Sequence, residues 1–484
     1  MAVRPRHLAG MVHCRSSAAD VRWPAPCTGR AVMARLLLHD LRLLLRDRLA
    51  LLVLVIGLAV TGLAVGNGAR WIDHLEQSRS AFLDRTQAEQ AEYRARFAGP
   101  DWTDGDSADA PYSAKRSFAY PVPVLADFTI GRSDIEPAMA EVRMGYRADT
   151  LFRNYQIDNP ERLQRGRIDL SFVAIVVAPL LLIALGYGML ASDRDSGTLR
   201  LIAAQAGGVG RLVAARSINR LALVIVPLVL GALALLLIGP NDPARTEAAL
   251  LWVSVALAGI AFWWAVILLI NALRVSAETS AFILIAAWIL LVFAAPPLIN
   301  SAAQALNPPS SRMAQIIEGR RAEQQATETY KNDHGTDGLA ELQRVKDVIA
   351  QYQRISTAHD RAIRPLSDAF DLQLAAQQRA VRQAQWLSPP MMVSNTLAQI
   401  AGTDVETYGT LKGAAFGYLS DYQAALDRGI ANNRLFTLAD HDALPTFQPP
   451  PSPRPGWLGV LWTLMITIVI LATALRRYRR LRLA

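Results

Sequence analysis

Six runs of this sequence are long enough, and free enough of charge, to cross a bilayer as helices. A hydrocarbon core of about 30 Å takes roughly 20 apolar residues at helical rise, so a chain with several such runs has few folds open to it. The spans read 49–69, 168–190, 221–241, 248–271, 279–299 and 456–475, and the uncharged part of the second begins at Leu170. None of these uncharged runs holds an Asp, Glu, Lys, Arg or His. Ion-driven transporters keep ionisable groups inside the bundle, so the energy for any transport here has to come from elsewhere. The expected fold is an all-α polytopic membrane protein with six transmembrane helices and two extracytoplasmic domains, the first mixed and the second mainly helical.

Charge orients the spans. The chain carries a net +9, and the excess gathers beside the apolar runs: five arginines in the loop 191–220 and five more in the tail 476–484. Short loops rich in arginine face the cytoplasm, and the short turn PNDPARTEA between spans three and four holds only one. With six spans both termini then lie in the cytoplasm, as in a multi-pass protein of a bacterial cytoplasmic membrane. Arginines placed at membrane edges suit anionic lipid. A nucleic-acid partner is not expected, since no aromatic-interleaved basic patch is present.

Before the first span, residues 1–32 have no apolar run suited to a secretory signal and no periodicity, and they read as a leader outside the folded protein. If Met33 is the initiator, five arginines and one aspartate are lost, which takes the net charge from +9 to +5 and removes Cys14 and Cys27. In 33–48, Arg35, His39, Arg42 and Arg46 fall on one helical face at steps of four, three and four, opposite leucines, as in a basic amphipathic helix lying at the membrane surface.

Two long insertions leave the membrane. Residues 70–167 open with a helical pattern and pass into PYSAKRSFAYPVPVLADFTI, which reads as extended chain. The acidic cluster at Asp101, Asp104, Asp106 and Asp109 lacks EF-hand spacing and reads as an ordinary acidic turn. In 300–455, Leu342, Val345, Ile349 and Tyr352 recur at helical spacing, as do Ile363, Leu366, Phe370 and Leu374, predicting three or four helices before a stiff Pro-rich connector, FQPPPSPRPGW. Gly62 and Gly66 form a GxxxG pair in the first span, and Trp263 and Trp264 read as packing or lipid-facing groups.

An enzyme needs a constellation of reactive groups. The sequence holds no GxxxxGK[ST] loop, HExxH, GxSxG or CxxC, its seven histidines are scattered, and GGVG at 207–210 is not followed by Lys-Ser or Lys-Thr. No cofactor or metal is expected on this chain.

The loop 191–220 carries the most specific pattern. Leu199, Ile202, Ala203 and Ala206 fall at i, i+3, i+4 and i+7, which predicts a short helix from Thr198 to Ala206 with Asp195, Ser196 and Thr198 as capping candidates. Gly207, Gly208 and Gly210 break it, and RLVAARSINR then leads into the third span. Such a helix has the shape to dock in a groove of a soluble partner.

These residues resemble the permease subunits of ABC-2 type transporters. That family's loop carries an acidic residue, Gly-Thr-Leu, a Pro-containing turn ending in Arg, then Leu-Val-x-Gly-Lys; here stand Asp195, Gly197-Thr198-Leu199, Arg211 and Leu212-Val213-Ala214-Ala215-Arg216. Gly-Gly-Val-Gly replaces the turn, Ala215 stands for Gly and Arg216 for Lys. A subset with large extracytoplasmic insertions is similar to the segment 388–422 as well. The resemblance implies a subunit without its own ATPase, beside an ABC ATPase that binds ATP and Mg, usually paired with a second permease subunit, and moving cargo outward. It also implies that Asp195, Gly197, Thr198, Leu199, Ile202, Arg211 and Arg216 couple the ATPase to the spans. A reading of another class is a membrane-anchored scaffold or sensor whose external domains bind an envelope partner without transport.

Overall fold

The computed structural model describes residues 29–144, 151–152, 168–199, 201–202, 208–308, 312–334, 341–431, 435–451 and 457–480. Most of the leader, part of the 191–220 loop and the middle of the Pro-rich connector lie outside these residues.

The chain opens with α1 (Gly29–Leu44) and turns at 45–47, where Asp47 caps the next helix by accepting from the Leu49 backbone N–H at 3.0 Å. That helix, α2 (Arg48–Phe97), is one unbroken rod of 50 residues. At 1.5 Å per residue it is about 75 Å long, so the first span and the helical pattern expected after it are one element. No Gly or Pro interrupts the sequence from Ala69 to Phe97, and the helix has no reason to stop at the end of the apolar run.

After α3 (Asp104–Ser113) come β1 (Lys115–Ala119) and β2 (Met139–Arg143), an antiparallel pair with Lys115 opposite Arg143. The acidic cluster opens α3: Thr103 and Asp106 exchange capping-box bonds, and the Thr103 hydroxyl and backbone N–H hold the Asp106 carboxyl below its ordinary range. The second expected span folds as α4 (Leu170–Gly186), an apolar helix of fewer residues than the others, with a π-turn at Val173–Val177. A five-residue helix, α5 (Ala191–Asp195), follows. Then come α6 (Val209–Ile238), α7 (Pro243–Ala272), α8 (Ala277–Leu306), the hairpin of α9 (Arg312–His334) and α10 (Glu341–Ala384), α11 (Pro389–Ala401), α12 (Val405–Ala431), the short α13 (Leu438–Asp442) and α14 (Trp457–Arg480).

The protein is therefore mainly helical. Five helices, α2, α6, α7, α8 and α14, are long and apolar enough to cross a membrane, and α4 is a sixth, shorter apolar segment. The central one is α7, which packs against α4, α6, α8, α11 and α14. Trp252, Trp263 and Trp264 on α7 are buried, so the tryptophan pair of the fourth span packs inside the bundle. In contrast, α8 is nearly bare within the monomer.

Two features depart from the sequence expectation. The insertions do not form separate cores: Phe118, Tyr120 and Val142 from the first pack with Tyr408, Tyr418, Tyr422 and Leu426 from the second. Tyr422 donates to Ala114 O at 3.0 Å and Tyr120 to Leu411 O at 3.2 Å. Burial raises the Tyr418 phenol to about 12, and pushes Tyr120 and Tyr422 upward too, so all three stay neutral donors. Secondly, α11 packs among the spans rather than standing outside them: Val393 meets Gly259 on α7, Met392 meets Gly459 on α14, and Ser388 donates to Leu291 O of α8 at 3.2 Å. Its apolar residues Met392, Val393, Leu397 and Ile400 are buried there.

The turns at 124–136 join the two layers. Arg245, near the start of α7, donates to Val124 O at 2.6 Å and pairs with Asp127, both side chains almost fully buried. Trp71 of α2 donates to Ser133 Oγ, Trp252 to Thr129 Oγ1, and Ile130 N–H to Asp169 Oδ2 at the start of α4. Arg132 N–H donates to Thr403 O beyond α11. Burial pushes the Asp127 carboxyl above its ordinary range, against the pull of Arg245. The segment comes so close to α2 that a Cβ on Gly68 would sit 2.1 Å from Asp127 O. Gly68→Ala is expected to cost about 1–3 kcal/mol by overpacking. An unchanged thermal unfolding temperature in detergent would show that this contact is not made.

Candidate coupling site

The sequence-predicted residues of the amphipathic helix and the 191–220 loop come to one end of the bundle, where α1, α5 and the first turns of α6 meet. Arg35, His39 and Arg42 lie exposed on α1, but the helix ends at Leu44, so exposed Arg46, expected on the same helix, stands in the turn 45–47 instead. The opposite face packs on α6, with Leu44 buried and Leu36 half-buried against the core. Asp40 lies on this apolar side, four residues after Leu36 and four before Leu44, and gives the face its function.

Asp40 accepts from Asn219 Nδ2 at 2.9 Å and lies 3.7 Å from the Arg220 guanidinium and 3.9 Å from that of Arg216. Asn219 also donates to Leu37 O at 3.0 Å. Arg216 reaches Asp193 of α5 at 2.6 Å and donates to Met189 O at 2.6 Å, while Arg220 donates to Leu185 O of α4 at 3.0 Å. These four charged side chains keep only 13–20% of their surface. Low exposure weakens solvent screening; each charge here has an opposite partner, and Asp40, Arg216 and Arg220 also have a backbone or amide hydrogen bond. Arg194 extends the junction by donating to Val275 O, in the turn between α7 and α8, at 2.8 Å. A displacement of α5 is thus felt directly by α1, α4, α6 and the α7–α8 turn.

The loop residues divide into two groups. Asp195 ends α5 exposed, 3.4 Å from Arg194 Nε. Gly197 has φ +71°, a left-handed turn that a Cβ would strain, and its N–H donates to Arg194 O at 3.0 Å. Thr198 is exposed and donates to Asp193 O at 3.3 Å, tying the turn back to α5. Leu199 and Ile202 are half-buried against the bundle, whereas Leu201 is exposed. The expected helix Thr198–Ala206 lies in part outside the described residues, as does Gly207. Gly208, at φ +128°, breaks the chain before α6, and Gly210 and exposed Arg211 belong to α6 itself. So Arg216 is an internal clamp, and the outward-facing surface is made by Asp195, Gly197, Thr198 and Leu201.

Sequence reasoning singled out Arg216 but missed its partners Asp40 and Asp193, and Asn219, which donates to Asp40. The available signal was a lone acid on the leucine face of a basic helix, and an acid three residues into a loop whose arginines outnumber it.

A family model, Domain of unknown function (DUF3526), matches residues 313–450, which takes in the α9–α10 hairpin and the chain through α13 and leaves the junction of α1, α5 and α6 outside. No curated protein and no solved structure matches the chain.

Proposed function

We propose that this chain is the membrane-spanning subunit of an ATP-driven exporter of the ABC-2 type, in the cytoplasmic membrane of a bacterium, working beside a separate ATPase that holds ATP and Mg. In this reading α4 completes six crossings, both termini are cytoplasmic, two such subunits pair, and the extramembrane core faces outward. The observation that carries it is the charged junction: a short loop helix clamped through Asp193 and Arg216 to the ends of the spans, next to an exposed turn. A docked ATPase that binds one arrangement of this loop more tightly than another shifts the bundle by that difference in affinity, and one that binds both equally shifts nothing. The uncharged spans and the absence of a nucleotide loop from the sequence agree with a driving force supplied by a partner.

The test is purification of the tagged full chain from its native membrane. Retention of a P-loop ATPase, with ATP hydrolysis by the complex, is the expected result. Gly197→Pro forces φ near −65° on a turn built at +71°. It is expected to lower hydrolysis in the complex at least tenfold while the bundle unfolds at the wild-type temperature. If no ATPase is ever retained, the scaffold or sensor reading takes its place.

A further inference from the structure

A cavity of about 340 Å³ lies between the two insertions and the bundle. Its floor includes Ala248 and Leu251, in the second and third turns of α7, so it opens where a membrane-crossing helix leaves the apolar layer. Pro121, Pro123, Pro450 and Pro451 form much of the wall. Prolines bring no N–H, and the carbonyls nearby are already taken: Val124 O by Arg245, Tyr120 O by Arg79 and Ala401 O by the Leu125 N–H. The result is a mainly apolar chamber. Among the described lining residues the single charge is Arg79, half-buried, whose Nε donates to Tyr120 O at 3.1 Å. That bond fixes the plane of the guanidinium and leaves its two terminal nitrogens for a ligand.

We infer that this cavity binds a single-chain amphiphile with an acidic head group, its chain among the prolines and Leu251 and its head on Arg79. The volume lies in the range of about 300–1,000 Å³ typical of small-molecule sites, and one positive fork at the rim of an apolar chamber matches a carboxylate or phosphate on an aliphatic chain. The inference is independent of the transport reading, because binding is measured with no ATPase present.

The probes are dodecanoate and dodecanol, titrated into the full chain in nanodiscs of neutral phosphatidylcholine, with a diazirine-bearing dodecanoate to map the contact. Dodecanoate is expected to bind saturably and to cross-link within 75–79, 120–124, 138–139, 248–251, 399–411 or 450–451. Arg79→Gln is expected to weaken dodecanoate about tenfold or more, the worth of a charge-assisted hydrogen bond, and to leave dodecanol unchanged. Leu251→Trp should weaken both probes, and Ala248→Trp serves the same purpose if that variant fails to fold. Cross-links elsewhere, or equal loss of both probes in Arg79→Gln, would overturn the assignment. Displacement of dodecanoate by phosphatidylglycerol in the nanodisc would give the chamber to a two-chain bilayer lipid and overturn the single-chain claim.

Discussion

Arg216→Glu is expected to leave the chain inserted in the membrane while severing its loop from its spans. Insertion depends on the apolar runs and the flanking arginines, of which Arg194, Arg200, Arg211 and Arg220 remain in this loop. The substitution places a carboxylate against Asp193 and near Asp40, and removes the donor to Met189 O. Breaking such a pair costs about 3 kcal/mol, the low end for buried pairs, since the partners keep some solvent. The expected result is a lowered thermal unfolding temperature together with loss of ATP hydrolysis in the retained complex. Arg216→Lys keeps the charge without the fork and is expected to hold most of the activity. The decisive comparison adds Asp193→Arg to Arg216→Glu. If the two residues act as a pair, the double variant recovers part of what the single loses, and the effects fail to add. Additive losses would show that the two side chains act separately, and the junction would not be a unit.

The membrane part of this fold was legible because its signal is local. An apolar run of about 20 residues states its own secondary structure, and five of the six runs form helices of spanning length. The exception, α4, ends at Gly186, where a Cβ would come within 2.7 Å of Ile267. That limit is set by α7, which no reading of 168–190 contains. Of the loop's glycine break, Gly208 takes a positive φ just before α6, Gly210 lies within α6, and Gly207 lies outside the described residues.

What the sequence concealed is tertiary. Asp127 and Arg245 lie 118 residues apart, and each looks like an ordinary polar residue of a turn. The stretch PYSAKRSFAYPVPVLADFTI reads as extended, but only Lys115–Ala119 pairs as a strand, because the residues after Pro121 make their backbone bonds in local turns and with Ala401, Arg245 and Ser171 instead of in a sheet. The shared core of the insertions was hidden for a related reason. Phe118 and Tyr120 bury themselves only when α12 arrives, nearly three hundred residues later. Of the coupling site, the loop residues were found from their pattern, whereas Asp40 needed knowledge of which face α1 turns to α6.

Arg245→Met is expected to produce the largest loss of stability among substitutions outside the junction. Arg245 fastens the α6–α7 turn to the 124–136 segment by pairing with Asp127 and donating to Val124 O and Leu235 O. Without it Asp127 keeps a buried carboxyl and no counter-charge, a cost of about 3–5 kcal/mol. Part of that cost can be relieved by a proton, because burial already pushes this carboxyl above its ordinary value and the loss of Arg245 removes the main opposing pull. The sign of the pH dependence follows. An acid whose folded pKa exceeds its unfolded one holds its proton more tightly when folded, so the variant is least impaired below the ordinary carboxylate range and loses stability as pH rises through the raised value. Unfolding temperatures of variant and wild type should therefore diverge from acid toward neutral pH. Adding Asp127→Leu removes the stranded charge and is expected to restore most of the loss and abolish the divergence. What stays lost are the donors to Val124 O and Leu235 O, about 1 kcal/mol each. If the double variant unfolds no later than the single, the buried charge is not what makes Arg245 necessary, and its role reduces to holding two carbonyls.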